Sequence, residues 1–328
     1  MPDQNYRQHR CPIVTWMTTC TTAAFVVLHM IVVSLLAVPE ASAQNRPEVM
    51  AFPPEITGYI RMGGVYHENF FQLPDDGPRA DVVAGVLELR VEERLGRTGA
   101  LRAYTRADVF HFRHLGSSPG ALVGVRRTGG ANQFDVAVTG QWNRPRFDID
   151  DDPQQANVIG GTGSYTLRVI RPLELMVLGE YSRQWLKQNA GVRSATYDVG
   201  GAVLYRPIRR LSTEIGMLKG GRDIADANQL YLNETAYVAL RTSIIPRTYV
   251  SLRYRTRVRD YTTDDTRSSN FRRQDRREQV TAYLDLTLGG NLVWNLSAGL
   301  EEAESTKRGS GFRSKQFGTT LSVMLPGG

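Results

Sequence analysis

The sequence predicts an all-β protein: a transmembrane, antiparallel, up-and-down β-barrel of about 14 strands, roughly 12–16. Three observations carry this expectation. The segment Thr248 to Tyr261 alternates with period two, Val250, Leu252, Tyr254, Thr256 and Val258 on one parity and Arg253, Arg255, Arg257 and Arg259 on the other. Similar alternating segments recur along the chain, joined by connections that are by turns short and long. The chain also opens on a pattern that reads as an export signal.

Successive strand side chains point to opposite faces, so Thr248 to Tyr261 has one greasy face and one face of guanidinium groups. Those cations cannot lie unpaired in a dry core. Lipid on one side and a wet lumen on the other satisfies both faces.

At the N-terminus, Arg7 and Arg10 precede an apolar run from Ala23 to Val38, interrupted by His29 and Ser34, and then Ala41-Ser42-Ala43. The run is short for a spanning helix, and the small residues mark a cleavage site, so residues 1–43 are expected to be a removed signal. The alternative is a retained anchor. Both cysteines, Cys11 and Cys20, fall in that segment, so the mature chain has no disulfide and no thiolate ligand. No other long apolar run exists, which excludes a helical membrane protein.

The formal charge is +7, from 40 basic and 33 acidic residues. Lysines occur at 187, 219, 307 and 315, and the other basic residues are arginines, suited to fixed contacts with carboxylate, sulfate or phosphate. Codon bias in a GC-rich genome is the bland explanation. A basic exported chain could also grip anionic lipid or polysaccharide.

In order, residues 44–55 form a short polar periplasmic lead, and 56–328 the barrel. The expected strands are 56–67, 83–95, 101–112 and 121–128, then a fifth through Phe134, Val136, Val138 and Trp142. Next come 157–170, 173–185, 197–205, 211–217, 235–242, 248–261, 280–288, 292–300 and 314–325. The turns at Gly96, Gly129, Pro172, Pro207, Pro246 and Gly290 are mostly short. Connections starting near Phe70, Asn143, Leu186, Lys219, Thr262 and Glu301 are long and polar. Short periplasmic turns and long outer loops belong to outer-membrane barrels, whereas sandwiches and soluble barrels need no such alternation. Aromatics gather at strand ends, at Phe134, Trp142, Tyr181, Trp185, Tyr197, Tyr205 and Trp294, as interfacial girdles do.

Catalysis and metal binding find little support. The mature histidines are His67, His111 and His114, the last near Ser117 and Ser118; each lies at a strand end or on the lipid-facing parity, and none completes a triad. The acidic run with Asp148, Asp150, Asp151 and Asp152 lacks the ligand spacing and central Gly of a calcium loop. No nucleotide motif is present. The reading is therefore a non-enzyme with no cofactor and no metal. Arg272, Arg273, Arg276 and Arg277 are placed in a surface loop, 262–278, where lipopolysaccharide phosphate or a surface glycan is the expected contact and nucleic acid is not.

Parity places Arg61, Arg90, Arg94, Arg102, Arg106, Arg126, Arg168 and Arg241 in the lumen with the four arginines of 248–261, and Glu88, Glu92, Asp108, Asp135, Glu174, Glu180, Glu214 and Asp285 beside them. Arg253 to Arg259 would climb ~20 Å of wall, at ~3.3 Å per residue. Two readings stay open: an anion-attracting ladder, or a wall network in which the acids pair the arginines. Channel passage of small anions or acidic oligosaccharides follows from the first. A non-transport barrel, binding glycan, lipopolysaccharide or a partner protein through its loops, is the rival class.

The segment Gln316 to Val323, with Gln316, Gly318, Leu321 and Val323, resembles the β-signal of outer-membrane proteins, with Leu321 and Val323 replacing the preferred aromatics. That resemblance implies insertion by the barrel-assembly machinery. Ile170-Arg171-Pro172-Leu173, Tyr205-Arg206-Pro207-Ile208 and the looser Ile245-Pro246-Arg247-Thr248 share a form. With Tyr66-His67-Glu68-Asn69-Phe70 they resemble the outer-membrane β-barrel porin family of proteobacteria often called BBP2. The resemblance implies a barrel across the mature chain and a link to exopolysaccharide export.

Overall fold

The computed structural model describes residues 56–68, 81–95, 100–113, 115–147, 153–187, 193–208, 210–224, 230–243, 245–263, 266–268, 270–307 and 311–325. The expected signal 1–43, the lead 44–55, the acidic run at 148–152 and His114 lie outside these residues. The first half of the barrel is β1 (Ile56–Glu68), β2 (Val82–Leu95), β3 (Leu101–Phe112), β4 (Gly116–Arg127), β5 (Asn132–Phe147), β6 (Pro153–Ile170) and β7 (Leu173–Leu186). The second half is β8 (Arg193–Ile208), β9 (Leu211–Ile224), β10 (Tyr231–Thr242), β11 (Thr248–Tyr261), β12 (Gln274–Gly289), β13 (Leu292–Ser305) and β14 (Phe312–Leu325). Each strand pairs antiparallel with its neighbours in sequence, and β1 pairs with β14, from Gly58 opposite Leu325 to Glu68 opposite Lys315. The result is a closed 14-strand barrel, and closure removes every sheet edge.

The two faces separate as the alternation demands. Leu87, Val123, Val138, Ile215, Met217 and Leu252 are exposed on the outside, while Glu88, Glu92, Asp108, Glu174 and Glu214 are nearly inaccessible on the inside. This inverts the usual soluble pattern, with apolar side chains outside and polar chemistry within. The inside is not uniformly polar. Ala202, Leu218 and Tyr237 form a buried lumenal cluster with Met176 and Leu178 packed against it.

Strands run from 12 residues in β3, β4 and β10 to 18 in β6, longer than the ~9–11 needed to cross hydrocarbon. The surplus sits at the rim bearing the longer connections. There β4 starts at Gly116 rather than 121, β9 runs to Ile224 rather than 217, and β12 starts at Gln274 rather than 280. The outward residues of these extensions are charged and paired across or along strands: Lys219 with Glu234 at 2.7 Å, Arg276 with Glu278 at 2.6 Å, Arg313 with Glu302 at 2.8 Å and Lys315 with Glu68 at 3.1 Å. The hydrogen-bonded ladder thus continues where the apolar alternation of the outer face stops. The loop expected at 116–120 is accordingly strand, and β3 joins β4 through residues 113–115 alone.

The seven strand-end aromatics all take the outward parity. Trp142, Tyr181, Trp185 and Tyr197 lie toward the rim of longer connections, and Phe134, Tyr205 and Trp294 toward the rim of short turns.

Candidate functional site: the lumenal arginine wall

β11 presents Arg253, Arg255, Arg257 and Arg259 to the lumen, opposite Ala239, Tyr237, Thr235 and Asn233 of β10. On its other side they meet Thr281, Gln279, Arg277 and Asp275 of β12. No carboxylate but Asp275 stands directly across from any of the four, so the cations lack close cross-strand neutralisation. Arg257 donates from Nε to Thr235 Oγ1 at 3.1 Å and lies 3.6 Å from Asp198 Oδ2, while Asn233 Nδ2 donates to the other oxygen of that carboxylate, Oδ1, at 2.6 Å. Arg253 lies over the Tyr237 ring at 4.5 Å, and Arg259 over Tyr231 at 4.8 Å. Arg255 makes no hydrogen bond or ion pair among the described residues, and the Nε groups of Arg255 and Arg259 have no hydrogen-bond partner there. A cation–π contact on tyrosine holds a guanidinium in place and leaves its charge available.

The other lumenal arginines are held differently. Glu92, 5% exposed, takes Arg102 at 3.0 Å, Arg90 at 3.8 Å and a bidentate contact from Arg126. Glu174, 2% exposed, joins Arg168 at 3.0 Å and Arg206 at 3.4 Å. Arg106 pairs with Asp108 at 3.1 Å, Arg61 with Glu88 at 3.6 Å, and Arg241 with Glu214 at 2.9 Å. Arg94 sits exposed near the short-turn end of β2. The lumenal arginines thus divide into a paired network around β1–β4, β6–β8 and the foot of β10, and a largely unpaired row on β11.

The basic cluster at 272–277 needs correction. It is not one surface loop, because β12 begins at Gln274. Arg276 faces outward to Glu278, whereas Arg277 faces the lumen beside Arg257, 3.6 Å from Glu301 and over the Phe312 ring at 5.0 Å. Arg273 folds back on Asp275 with two contacts of 2.8 Å and onto Asn270 at 3.0 Å. Arg272 stays in the connection, at φ 53°, over Phe271. Arg277 extends the ladder onto β12. The parity of 248–261 could have located it had the strand boundary been placed at Gln274.

Tyrosine is the residue type whose lumenal role the sequence reading did not single out. Tyr59, Tyr104, Tyr231, Tyr237 and Tyr261 face inward, and each carries an arginine on its ring. Two of them lie across a glycine on the adjacent strand. Tyr104 covers Gly124 and bonds Asp135; Tyr237 covers Gly216 and donates to Glu214 at 2.8 Å.

Among the histidines, His111 Nδ1 meets Ser117 Oγ at 2.9 Å across β3 and β4 on the outer face. Among the described residues no acid or amide orients that ring, so the pair is a cross-strand hydrogen bond. No cluster of three or more His, Cys, Asp or Glu arranged to hold a metal occurs among the described residues. In β14, Gln316 and Gly318 face the lumen, and Leu321 and Val323 face outward.

No family model matches the sequence, and no curated protein matches it. Solved structures that resemble it include bacterial barrels. An anion-selective porin from Comamonas acidovorans is 10% identical, with TM-score 0.45, over 83% of this chain and 99% of its own. The outer membrane channel DcaP of Acinetobacter baumannii is 10% identical, with TM-score 0.46, over 83% of this chain and 97% of its own. Outer-membrane expressed OmpT of Vibrio cholerae is 8% identical, with TM-score 0.46, over 84% and 99%. At such distances, function has to come from this chain's own residues.

Proposed function

We propose that the chain is a bacterial outer-membrane channel for passive passage of small anionic solutes or acidic oligosaccharides. The observation that carries the reading is the β11 ladder, Arg253, Arg255, Arg257 and Arg259, in which Arg257 alone makes a salt bridge among the described residues, to Asp198 at 3.6 Å. Same-face residues stand about 7 Å apart along a strand. Like charges at that separation repel by roughly 0.6 kcal/mol in a fully wet lumen, and by more where the wall excludes water. An anion among them relieves several such repulsions at once, so the ladder offers successive shallow sites instead of one deep trap, as conduction requires. A 14-strand barrel is also wider than the eight-strand kind, whose interior is just wide enough for side chains to fill.

Residence in the outer membrane, contact with its lipids and lipopolysaccharide, and insertion by the barrel-assembly machinery belong to the same proposal. So does a tie to exopolysaccharide export through the BBP2-like family, for which the turn motifs are the support. No catalytic step is part of it. Planar-bilayer recording with the processed protein tests the reading. Under a tenfold KCl gradient the reversal potential should lie on the anion side, and the quadruple change of Arg253, Arg255, Arg257 and Arg259 to Gln should move it toward zero. The anion preference should also shrink as ionic strength rises. Absence of conductance, or a cation preference unmoved by those changes, would sink the proposal.

A further inference from the structure

Strand β5 changes face part-way along. From Val136 to Trp142 its even-numbered residues point outward, a parity that would put Arg144 in the lipid or its interface. The ladder shifts register between Gln141 and Arg144, and Asn143 in the shift has φ 53°. Asn tolerates this left-handed conformation better than most residues, and its backbone N–H donates to Asn157 Oδ1 at 3.1 Å. Arg144 then stands opposite Ala156, a lumenal residue 1% exposed. Bulges commonly re-aim a side chain in this way. Here the bulge delivers a cation to the inside of the barrel.

What Arg144 faces is a cavity of about 340 Å³ at the rim of longer connections, within the range of small-molecule sites. Phe110 and Phe112 form one side, their rings near parallel at 21° with centroids 6.4 Å apart, and Val65, Val82 and Ala84 continue it. His67, Gln316 and Gln141 supply polar edges. Arg144 is exposed to lumenal water, is coupled electrostatically to Glu180 on β7, and makes no hydrogen bond or ion pair among the described residues. The other cation lining the cavity, Arg106, is already held by Asp108 at 3.1 Å.

We propose that this cavity binds a ring-bearing monocarboxylate, with Arg144 gripping the carboxylate and the Phe110–Phe112 wall taking the ring. The planar guanidinium fork matches a carboxylate. One unpaired cation suits a single negative charge, and Asp108 nearby disfavours a second. The apolar wall asks for a body that a bare anion lacks, either an aromatic ring or the C–H face of a sugar. The site lies away from the β11 ladder and holds whether or not the barrel conducts.

Titration calorimetry on the processed full chain folded in detergent micelles tests this without any current. The probes are benzoate, glucuronate, acetate and benzylamine. Benzoate, glucuronate or both should bind at least tenfold more tightly than acetate, the stronger of the two identifying the ring as aromatic or sugar. Benzylamine should not compete. Arg144→Gln should weaken the preferred probe at least tenfold, Arg144→Lys should restore part of it, and Phe110→Ala should bring it close to acetate. Equal binding of all three carboxylates by the unsubstituted protein overturns the proposal by itself, whatever the variants do. So does undiminished binding by Arg144→Gln when its heat-modifiable gel mobility shows a folded barrel.

Discussion

Glu92 shows how much the lumenal wall asks of a single side chain. It is almost fully inaccessible and receives Arg90, Arg102 and Arg126 from three strands. Those arginines keep roughly 27–30% of their side-chain exposure, so lumenal water moderates the loss when their partner is removed. Glu92→Gln should therefore cost about 2 kcal/mol, below the 3–5 expected for a fully buried pair, read as a lowered urea midpoint of the folded barrel. A change under about 0.5 kcal/mol would show that the network is ornamental to stability. Arg255→Gln, by contrast, removes a cation with no ion pair among the described residues and should leave that midpoint unchanged or raise it, because like-charge repulsion along β11 is relieved. Equal losses from the two substitutions would contradict the distinction drawn between network and ladder.

Between neighbouring strands, the tyrosine–glycine pairs decide how the wall packs. Gly216 has Tyr237 opposite it in the ladder, and a methyl group at Gly216 would stand 2.5 Å from ring carbons of that tyrosine. The ring cannot easily yield: it is 4% exposed, bonded to Glu214 and covered by Arg253. Gly216→Ala should then destabilise by about 1–3 kcal/mol, the usual range for overpacking. The same substitution should be close to neutral in a Tyr237→Ala background. A cost that persists without the tyrosine would assign it to the backbone instead. Strand existence and facing were legible from alternation alone, as Leu87 against Glu88 and Leu252 against Arg253 illustrate. Strand ends were not, because Lys219, Glu234, Arg276 and Glu302 carry charge on the outer face near the strand ends and so break the pattern without breaking the hydrogen bonds. The same blindness placed Arg276 and Arg277 in a loop.

Across the whole molecule, the outward aromatics and the charged rim define where hydrocarbon should begin and end. Trp142, Trp185 and Trp294 all face outward, and Trp16, the remaining tryptophan, lies in the segment expected to be removed. In bilayers of lipids brominated high on the acyl chain, tryptophan emission of the processed protein should be quenched strongly, and aqueous acrylamide should quench it weakly. The opposite ranking would mean that these rings face water and that the barrel does not sit in a bilayer as proposed.

Period-two alternation, the rhythm of turns and loops and the parity of the arginines are local properties of the chain, and they sufficed to predict a barrel of about 14 strands and the inward face of 248–261. Pairing across strands is not local. Which arginines are neutralised depends on register: Arg126 reaches Glu92 across β3, while Arg255 meets Gln279 and Tyr237. The bulge at Asn143 likewise reverses the facing of Arg144, because a one-residue slip turns every later side chain of a strand to the other face. Alternation read along the sequence determined that the wall is basic. The closed sheet decided where on that wall the charge stays free.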